Sequence, residues 1–231
     1  MLEKLETLRL KVRRHGAAAT AYEAAVKALG SVADFKILRG VFVDRPAPAF
    51  LACPYQPMLL DETALRRFAG DPANEMSREF IDEATARGDQ CYAICDGDRL
   101  AAYGWYAFGA TPIGIPGVLL HYSPGYVYMY KGFTHAGYRG QRLHAIGMTR
   151  ALQHYLSKGY KGIVSYVESS NFDSLKSCFR MGYAVFGTVY VVRVFGRYCS
   201  FSTPGCAKYE FRVGLGRADI ARPVRVGETA D

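Results

Sequence analysis

Apolar and polar positions follow two different periods along this chain, and these periods predict its helices and strands. Between Leu2 and Leu29, Leu and Ala recur at helical spacing with a break near His15-Gly16, which predicts two short amphipathic helices. Further helical patterns follow at residues 61–67, 76–87, 144–156 and 174–181. Gly88 and Gly182 come directly after two of these stretches and are expected to end them at the C′ position.

Runs of aromatic and β-branched residues predict the strands, which lie at residues 35–44, 90–95, 99–108, 126–133, 162–167 and 184–194. Asp96-Gly97-Asp98 joins the second and third runs as a tight hairpin turn. The order of elements predicts an α+β domain, a mixed sheet with helices packed on it. We expect a helical extension at residues 1–30, the main domain at 31–215 and a flexible tail at 216–231, where the apolar period is lost.

The composition narrows the class of protein without choosing a function. Half of the 231 residues are apolar, enough for the core of one globular domain. No signal peptide or membrane-spanning run is visible, and the six scattered cysteines lack zinc-ligand spacing, so we expect a cytoplasmic protein with free thiols and no metal. The net charge of +8 favours an anionic partner, but no basic stripe with stacking aromatics predicts nucleic-acid binding.

Two segments carry candidate chemistry, and each precedes a predicted helix. In the first, residues 134–144, a loop enters a helix whose unpaired N–H groups and dipole could hold a pyrophosphate, with Arg139 and Arg142 adding charge. In the second, residues 168–183, Asn171 can cap the helix and Gly182 can end it. Taken singly, the first segment also fits a basic surface turn and the second fits ordinary helix capping.

Taken together, the two segments resemble the GCN5-related N-acetyltransferase (GNAT) superfamily. Residues 138–144 (YRGQRLH) are similar to its Y-R-G-x-G-[IL]-G phosphate loop. Its second signature, N-x-x-[AS] followed by [LM]-G-[FY], is matched at the right offsets by Asn171, Ser174, Met181, Gly182 and Tyr183. The resemblance covers residues 126–194 specifically and extends back to Phe35 by strand order.

The resemblance implies a mostly antiparallel sheet whose fourth strand (126–133) and fifth strand (162–167) splay apart to admit the pantetheine arm of an acyl thioester. An amine would attack that thioester directly, and positioning together with backbone N–H groups would supply most of the catalysis. The implied donor-binding residues are Phe133, Thr134, Arg139, Gly140, Gln141, Arg142, Leu143, His144, Asn171 and Ser174.

Three positions depart from the family pattern. Arg142 and His144 stand where the phosphate loop usually has glycine or a small residue, so their side chains must either point away from the phosphates or clasp them. Cys178 stands where many members place a tyrosine that protonates the leaving thiolate. A thiol of lowered pKa could take that role, or Cys178 could be a buried apolar residue.

Other candidates for catalysis and acceptor binding come from the strands and their ends. His135 and Glu168 are candidate general bases, although a loop histidine and a solvated carboxylate are the plainer interpretations. Strand alternation puts Tyr128 and Tyr130 on one face and Lys131 on the other, with the substrate face undecided. Trp105 would border the acceptor pocket or belong to the core.

We therefore expect a cytoplasmic acyltransferase that acylates the amine of a small molecule or amino acid. The donor would be acetyl-CoA or a longer acyl-CoA, or an acyl chain on an acidic acyl carrier protein, as in relatives that make N-acyl amino acids. The alternative is a GNAT-fold module that binds a thioester or a partner without turnover. Residues 1–30 could cover the sheet, lengthen a pocket or form a homodimer.

Overall fold

The predicted helices are present in the structure, a computed structural model that describes residues 2–216, with side chains from Glu6 onward. The helices are α1 (Leu2–His15), α2 (Ala17–Ala33), α3 (Glu62–Ala69), α4 (Arg78–Ala86), α5 (Leu143–Ser157) and α6 (Phe172–Arg180). Gly88 and Gly182 have φ angles of 82° and 86°, the left-handed geometry expected after α4 and α6. The tail predicted at 216–231 lies outside the described residues except for Gly216.

The strands are β1 (Lys36–Val43), β2 (Gln56–Leu59), β3 (Gln90–Asp96), β4 (Arg99–Ala107), β5 (Thr111–Pro112), β6 (Val118–His121), β7 (Val127–Thr134), β8 (Ile163–Glu168), β9 (Ala184–Val194), β10 (Arg197–Ser202) and β11 (Arg212–Leu215). Within residues 2–216 they form an eight-stranded sheet in the order β10-β9-β1-β8-β7-β4-β3-β2 and a small sheet in the order β11-β6-β5. All pairs are antiparallel except β7 with β8. The α+β prediction is confirmed.

The first strand of the chain lies inside the large sheet. β1 pairs with β8 on one side and with β9 on the other, and Leu38, Val41 and Val43 are buried. The edge position next to β3 belongs instead to β2, a four-residue strand that the sequence patterns missed because it contains Pro57. Counted from the β2 edge, β7 is the fourth strand and β8 the fifth, as predicted.

β7 and β8 diverge soon after they meet. Within the described chain they pair only at Val127 with Ile163 and at Tyr128 with Val164. One residue further along, the Ser165 hydroxyl donates to the Met129 carbonyl oxygen at 2.7 Å. Beyond this bond the β8 side of β7 is open, so the predicted splay is present.

Different elements cover the two faces of the sheet near this opening. α5 and α6 pack on the face that carries Met129 and Val167. The small sheet covers Tyr128 and Val164 on the opposite face, and α3 and α4 cover the neighbouring strands. α2 reaches the end of β8, where the hydroxyls of Tyr22 and Ser169 lie 2.8 Å apart.

Candidate functional site

The N-terminus of α5 presents free backbone donors beside the opening. Its first helical hydrogen bond runs from the Ile146 N–H to the Arg142 carbonyl oxygen at 3.1 Å, so the N–H groups of Leu143, His144 and Ala145 precede the helical ladder. The N-cap position, Arg142, provides no side-chain cap. These donors and the positive end of the helix dipole suit the phosphates of a nucleotide-bearing thioester.

Arg142 keeps the backbone geometry of the glycine it replaces. Its φ of 62° and ψ of 19° lie in the left-handed region, which glycine adopts without strain and other residues adopt at a cost of about 1 kcal/mol. Gly140 also has a positive φ, 84°. The loop conformation is therefore retained although its second glycine is absent, and the exposed Arg142 side chain adds charge.

The His144 side chain points at the backbone of β7. A Cβ atom on Gly132 would lie 2.4 Å from His144 Cε1, so the imidazole fits only because residue 132 is glycine. Burial lowers the pKa of His144 below its usual value, which favours a neutral ring near pH 7. Of the two orientations expected from the sequence, His144 takes the one that points away from the phosphates.

Hydrogen bonds to two other segments, at Asp96 and Tyr55, hold the loop in place. The Tyr138 hydroxyl donates to Asp96 Oδ2 at 2.8 Å, and the Tyr55 hydroxyl donates to Gln141 Oε1 at 3.0 Å. The two tyrosine rings meet edge to face, with centroids 5.5 Å apart. Arg139 Nε donates to the Thr134 carbonyl oxygen at 3.4 Å and the side chain is exposed.

His135 lies on the side of the loop that faces the β3–β4 hairpin. Its Nδ1 accepts a hydrogen bond from the Gly137 N–H at 3.3 Å. It lines a pocket of about 680 Å³, together with Arg67, Asp98 and Arg99 near the β3–β4 turn. Gly137, Tyr138 and Gln141 of the loop also line this pocket.

The second predicted segment turns from β8 into α6. Asn171 Oδ1 accepts a hydrogen bond from the Ser174 N–H at 3.1 Å, which makes Asn171 the helix cap. Glu168 is exposed and pairs with Lys36 Nζ at 3.2 Å. It lines a different pocket from His135, one of about 470 Å³ under the end of α2.

Cys178 belongs to the core beneath α6. Its residue is 8% exposed and packs with Met181 and Tyr183. Burial raises the pKa of the Cys178 thiol to about 11. Of the two alternatives for Cys178, the structure agrees with the buried apolar residue, because burial disfavours a thiolate and so opposes a lowered pKa.

Three tyrosines form a ladder on the face opposite α5 and α6. Tyr130 stacks on Tyr128, and Tyr128 stacks on Tyr166 of β8, with centroid separations of 5.9 and 6.3 Å. A bulge leaves Tyr130 without an opposed residue on β4, since Trp105 pairs with Lys131 and the next β4 residue pairs with Met129.

The bulge also changes where Lys131 points. Lys131 Nζ lies 4.1 Å from the centre of the Phe80 ring, and the ring of Tyr130 lies 6.3 Å from the same ring. Tyr130 and Lys131 therefore share a face, and the predicted alternation is wrong here because a bulge inserts one residue into the strand.

Two of the predicted ligand-binding side chains are buried under their neighbours. Trp105 is 0% exposed and meets Phe80 edge to face at 5.1 Å. Phe133 stacks on Tyr103 at 5.2 Å and faces the same core cluster. A ligand could therefore contact Phe133 only at its backbone. It could not contact Trp105 directly, because other side chains cover the indole.

A buried carboxylate behind the tyrosine ladder escaped the sequence patterns. Asp89 Oδ2 accepts hydrogen bonds from Arg87 Nε at 3.1 Å, from Arg87 Nη2 at 2.9 Å and from the Tyr130 hydroxyl at 3.0 Å. The side chain of Asp89 is 3% exposed. Burial raises the pKa of Asp89, and Arg87 and Tyr130 oppose that rise. Its only sequence signal was a charged residue beside the predicted turn glycine, Gly88.

The opening between β7 and β8 thus brings together the phosphate loop, Asn171 and the tyrosine ladder. The three catalytic candidates do not lie together. His135 lies beside the β3–β4 hairpin, Glu168 lies under the end of α2, and Cys178 lies in the core. Among residues 2–216 no group of three metal-ligating side chains was found. None of the helices in that range has both the length and the apolar character of a membrane span.

Solved structures that resemble this chain include GNAT proteins. A GNAT-family protein from Novosphingobium aromaticivorans aligns over 68% of this chain and 63% of its own, at 18% identity and a TM-score of 0.50. The chain therefore has the GNAT fold, and the predicted resemblance is confirmed at that level. This chain spans less than two thirds of that neighbour's length.

Two further neighbours are more distant in shape. A tandem GNAT protein from the clavulanic acid biosynthesis pathway aligns over 81% of this chain and 58% of its own, at 17% identity and a TM-score of 0.48. A GNAT-family acetyltransferase from Colwellia psychrerythraea aligns over 73% and 56%, at 15% identity and a TM-score of 0.44. No protein-family model and no curated protein sequence matches the chain.

Proposed function

We propose that this protein is an N-acyltransferase that moves an acyl group from a thioester to the amine of a small molecule or amino acid. The observation that carries the proposal is the divergence of β7 from β8 after two residue pairs, directly beside the uncapped N-terminus of α5. The open strand edge offers backbone groups to a pantetheine arm, and the helix N-terminus offers N–H groups to phosphates.

The donor substrate would be held by the residues around this opening. The N–H groups of residues 143–145 would bind the phosphates, with Arg139 and Arg142 as charged partners and with Gly140 and Gln141 shaping the loop. The backbone of Phe133 and Thr134 would bind the arm, while Asn171 and Ser174 fix the end of β8. The amine would approach beside Tyr130 and Lys131, which are only half-buried, because α5 and α6 cover the other face and the small sheet covers Tyr128.

The donor is an acyl-CoA or an acyl chain on an acyl carrier protein. The net charge of +8 and the aromatic ladder suit an acidic carrier and a longer acyl chain, as in N-acyl amino acid synthases. A cytoplasmic location, the boundaries of the domain at 31–215 and a homodimer remain parts of this proposal.

Release of free thiol from acetyl-CoA, long-chain acyl-CoA or acyl carrier protein, measured against a panel of amines, tests the proposal. We expect release with one donor class and one group of amines. The absence of thiol release with every donor would overturn the proposal that this protein is an enzyme.

A second candidate function is a binding module without turnover. It is favoured by the burial of Cys178, which leaves no tyrosine or reactive thiol at the family's proton-donor position. Calorimetry with coenzyme A, combined with the thiol-release assay, separates the two. Binding without turnover supports the module, and binding with turnover supports the enzyme.

A further inference from the structure

Arg87, Asp89 and Tyr130 form a hydrogen-bonded group at the bulge of β7. Tyr130 is the bulged residue of β7, next to the Met129 carbonyl oxygen that marks the end of contact with β8. Its ring is half-buried and belongs to the tyrosine ladder on the face that we propose for the amine. Its hydroxyl donates to the buried Asp89 carboxylate at 3.0 Å.

The turn after α4 fixes Asp89 in this position. The Asp89 N–H donates to the Ala84 carbonyl oxygen at 3.0 Å and the Gly88 N–H donates to the Thr85 carbonyl oxygen at 2.9 Å. This pair of bonds is the Schellman motif, in which the left-handed glycine reverses the chain. The reversal lets Arg87 reach across Gly88 and bind Asp89 Oδ2 with two nitrogens.

Three donors converge on one oxygen of a carboxylate that has almost no contact with water. Such a group is costly to maintain unless it is paired, and Arg87 supplies that pairing. Of the other groups near it, Tyr122 faces Asp89 from the segment after β6, and Lys131 lies beside Tyr130 over Phe80. The described chain provides Oδ2 with no proton to accept except those of Arg87 and Tyr130.

We infer that Tyr130 and Asp89 form a proton relay for the acceptor amine, with Tyr130 as the catalytic residue and Asp89 as its positioning residue. This inference rests on the proposed function. As the amine nitrogen bonds to the thioester carbon and the carbon–sulfur bond breaks, the nitrogen loses one proton. That proton passes to Tyr130 Oη while the Tyr130 hydroxyl proton passes to Asp89 Oδ2, and the departing thiolate takes a proton from water.

The test compares Asp89→Asn, Asp89→Glu, Tyr130→Phe and the double variant with wild type. In wild type we expect thiol release from the active donor, acetyl-CoA or octanoyl-CoA. Asp89→Asn and Tyr130→Phe should each lower kcat/KM roughly a hundredfold, the contribution typical of a general base. The dissociation constant for coenzyme A, measured by calorimetry, should stay within about twofold because neither residue touches the phosphate loop. The double variant should lose no more than either single one, since the two act as a unit.

Asp82→Asn is the matched control, because Asp82 is an exposed carboxylate of α4 that pairs with Arg66. The pH profile separates a relay from a purely structural role. In wild type kcat/KM should rise with pH as Asp89 loses its proton, and Asp89→Asn should lack that limb while Asp89→Glu keeps it. A structural defect would lower the rate equally at every pH.

The outcomes distinguish failure of the proton relay from failure of the proposed acyltransferase function. Turnover by Asp89→Asn equal to wild type would overturn the relay and leave the acyltransferase standing. Coenzyme A binding by wild type without turnover would overturn both the relay and the enzyme and leave a binding module. The absence of binding and of turnover would overturn the donor site as well.

Discussion

The Ser165 hydroxyl donates to the Met129 carbonyl oxygen at 2.7 Å at the residue where β7 and β8 stop pairing. A side chain thus satisfies the first carbonyl group that the diverging backbone of β8 can no longer reach. Because both atoms are buried, this bond helps to fix where the opening begins.

Replacing Ser165 with alanine should lower the free energy of unfolding by about 1–3 kcal/mol, because the Met129 carbonyl loses its partner in a buried place. Urea unfolding followed by circular dichroism measures the change. Ser157→Ala is the control, since the Ser157 hydroxyl makes a bond of the same length to the His154 carbonyl oxygen at the surface. Equal losses in the two variants would show that burial adds nothing at Ser165.

Replacing Arg142 with glycine should raise the free energy of unfolding by about 0.5–1 kcal/mol. Glycine relieves the left-handed strain at φ 62°, and its greater freedom in the unfolded chain offsets part of that gain. Arg139→Gly provides the comparison, because Arg139 has an extended backbone with φ −63° and should lose stability. A loss at both positions would contradict the strain at Arg142.

Replacing Arg139 with alanine should weaken coenzyme A binding roughly tenfold and leave acceptor binding almost unchanged. The exposed guanidinium next to the loop would contribute about one charge-assisted hydrogen bond to a phosphate. Calorimetry with coenzyme A, and separately with an amine that is turned over, measures the two affinities. Equal losses for donor and acceptor would count against the phosphate-loop assignment.

His144 should make stability fall as the pH drops below neutrality. Its folded-state pKa lies below the usual unfolded value of about 6.5, so the unfolded state binds the proton first. The stabilising effect of the neutral ring is complete above pH 6.5 and is lost between that pH and the lower folded-state pKa. His144→Asn should therefore reduce the fall in unfolding free energy between pH 7 and pH 5. The contribution of His154, whose pKa is also lowered by burial, is the same in both proteins and cancels.

The sequence predicted the helices and strands of this fold better than it predicted which segments pack against one another. Helical and strand periods identified α5, β9 and the cap at Asn171, because each depends on residues close by in the chain. The bulge at Tyr130 and the burial of Cys178 depend on packing between distant segments, which no local pattern reports. The Arg87–Asp89 pair was missed for the same reason, since two charged residues beside a turn are usually solvated.

Removal of residues 1–44 should abolish folding, whereas removal of residues 1–33 should leave a folded protein of lower stability. The shorter deletion removes α1 and α2, and the longer one also removes β1, which pairs on both sides in the large sheet. Far-ultraviolet circular dichroism and a cooperative thermal transition measure the difference. Retention of a cooperative transition in the longer deletion would contradict a structural role for β1.

The place of β1 also governs when this protein can fold during its synthesis. The ribosome makes β1 long before β8 and β9, the two strands that flank it, and both of these come from the last third of the sequence. The apolar residues of the nascent β1 must therefore wait unpaired while most of the polypeptide is made, a period in which such strands are prone to aggregate. The large sheet therefore cannot close around β1 until both β8 and β9 have been made.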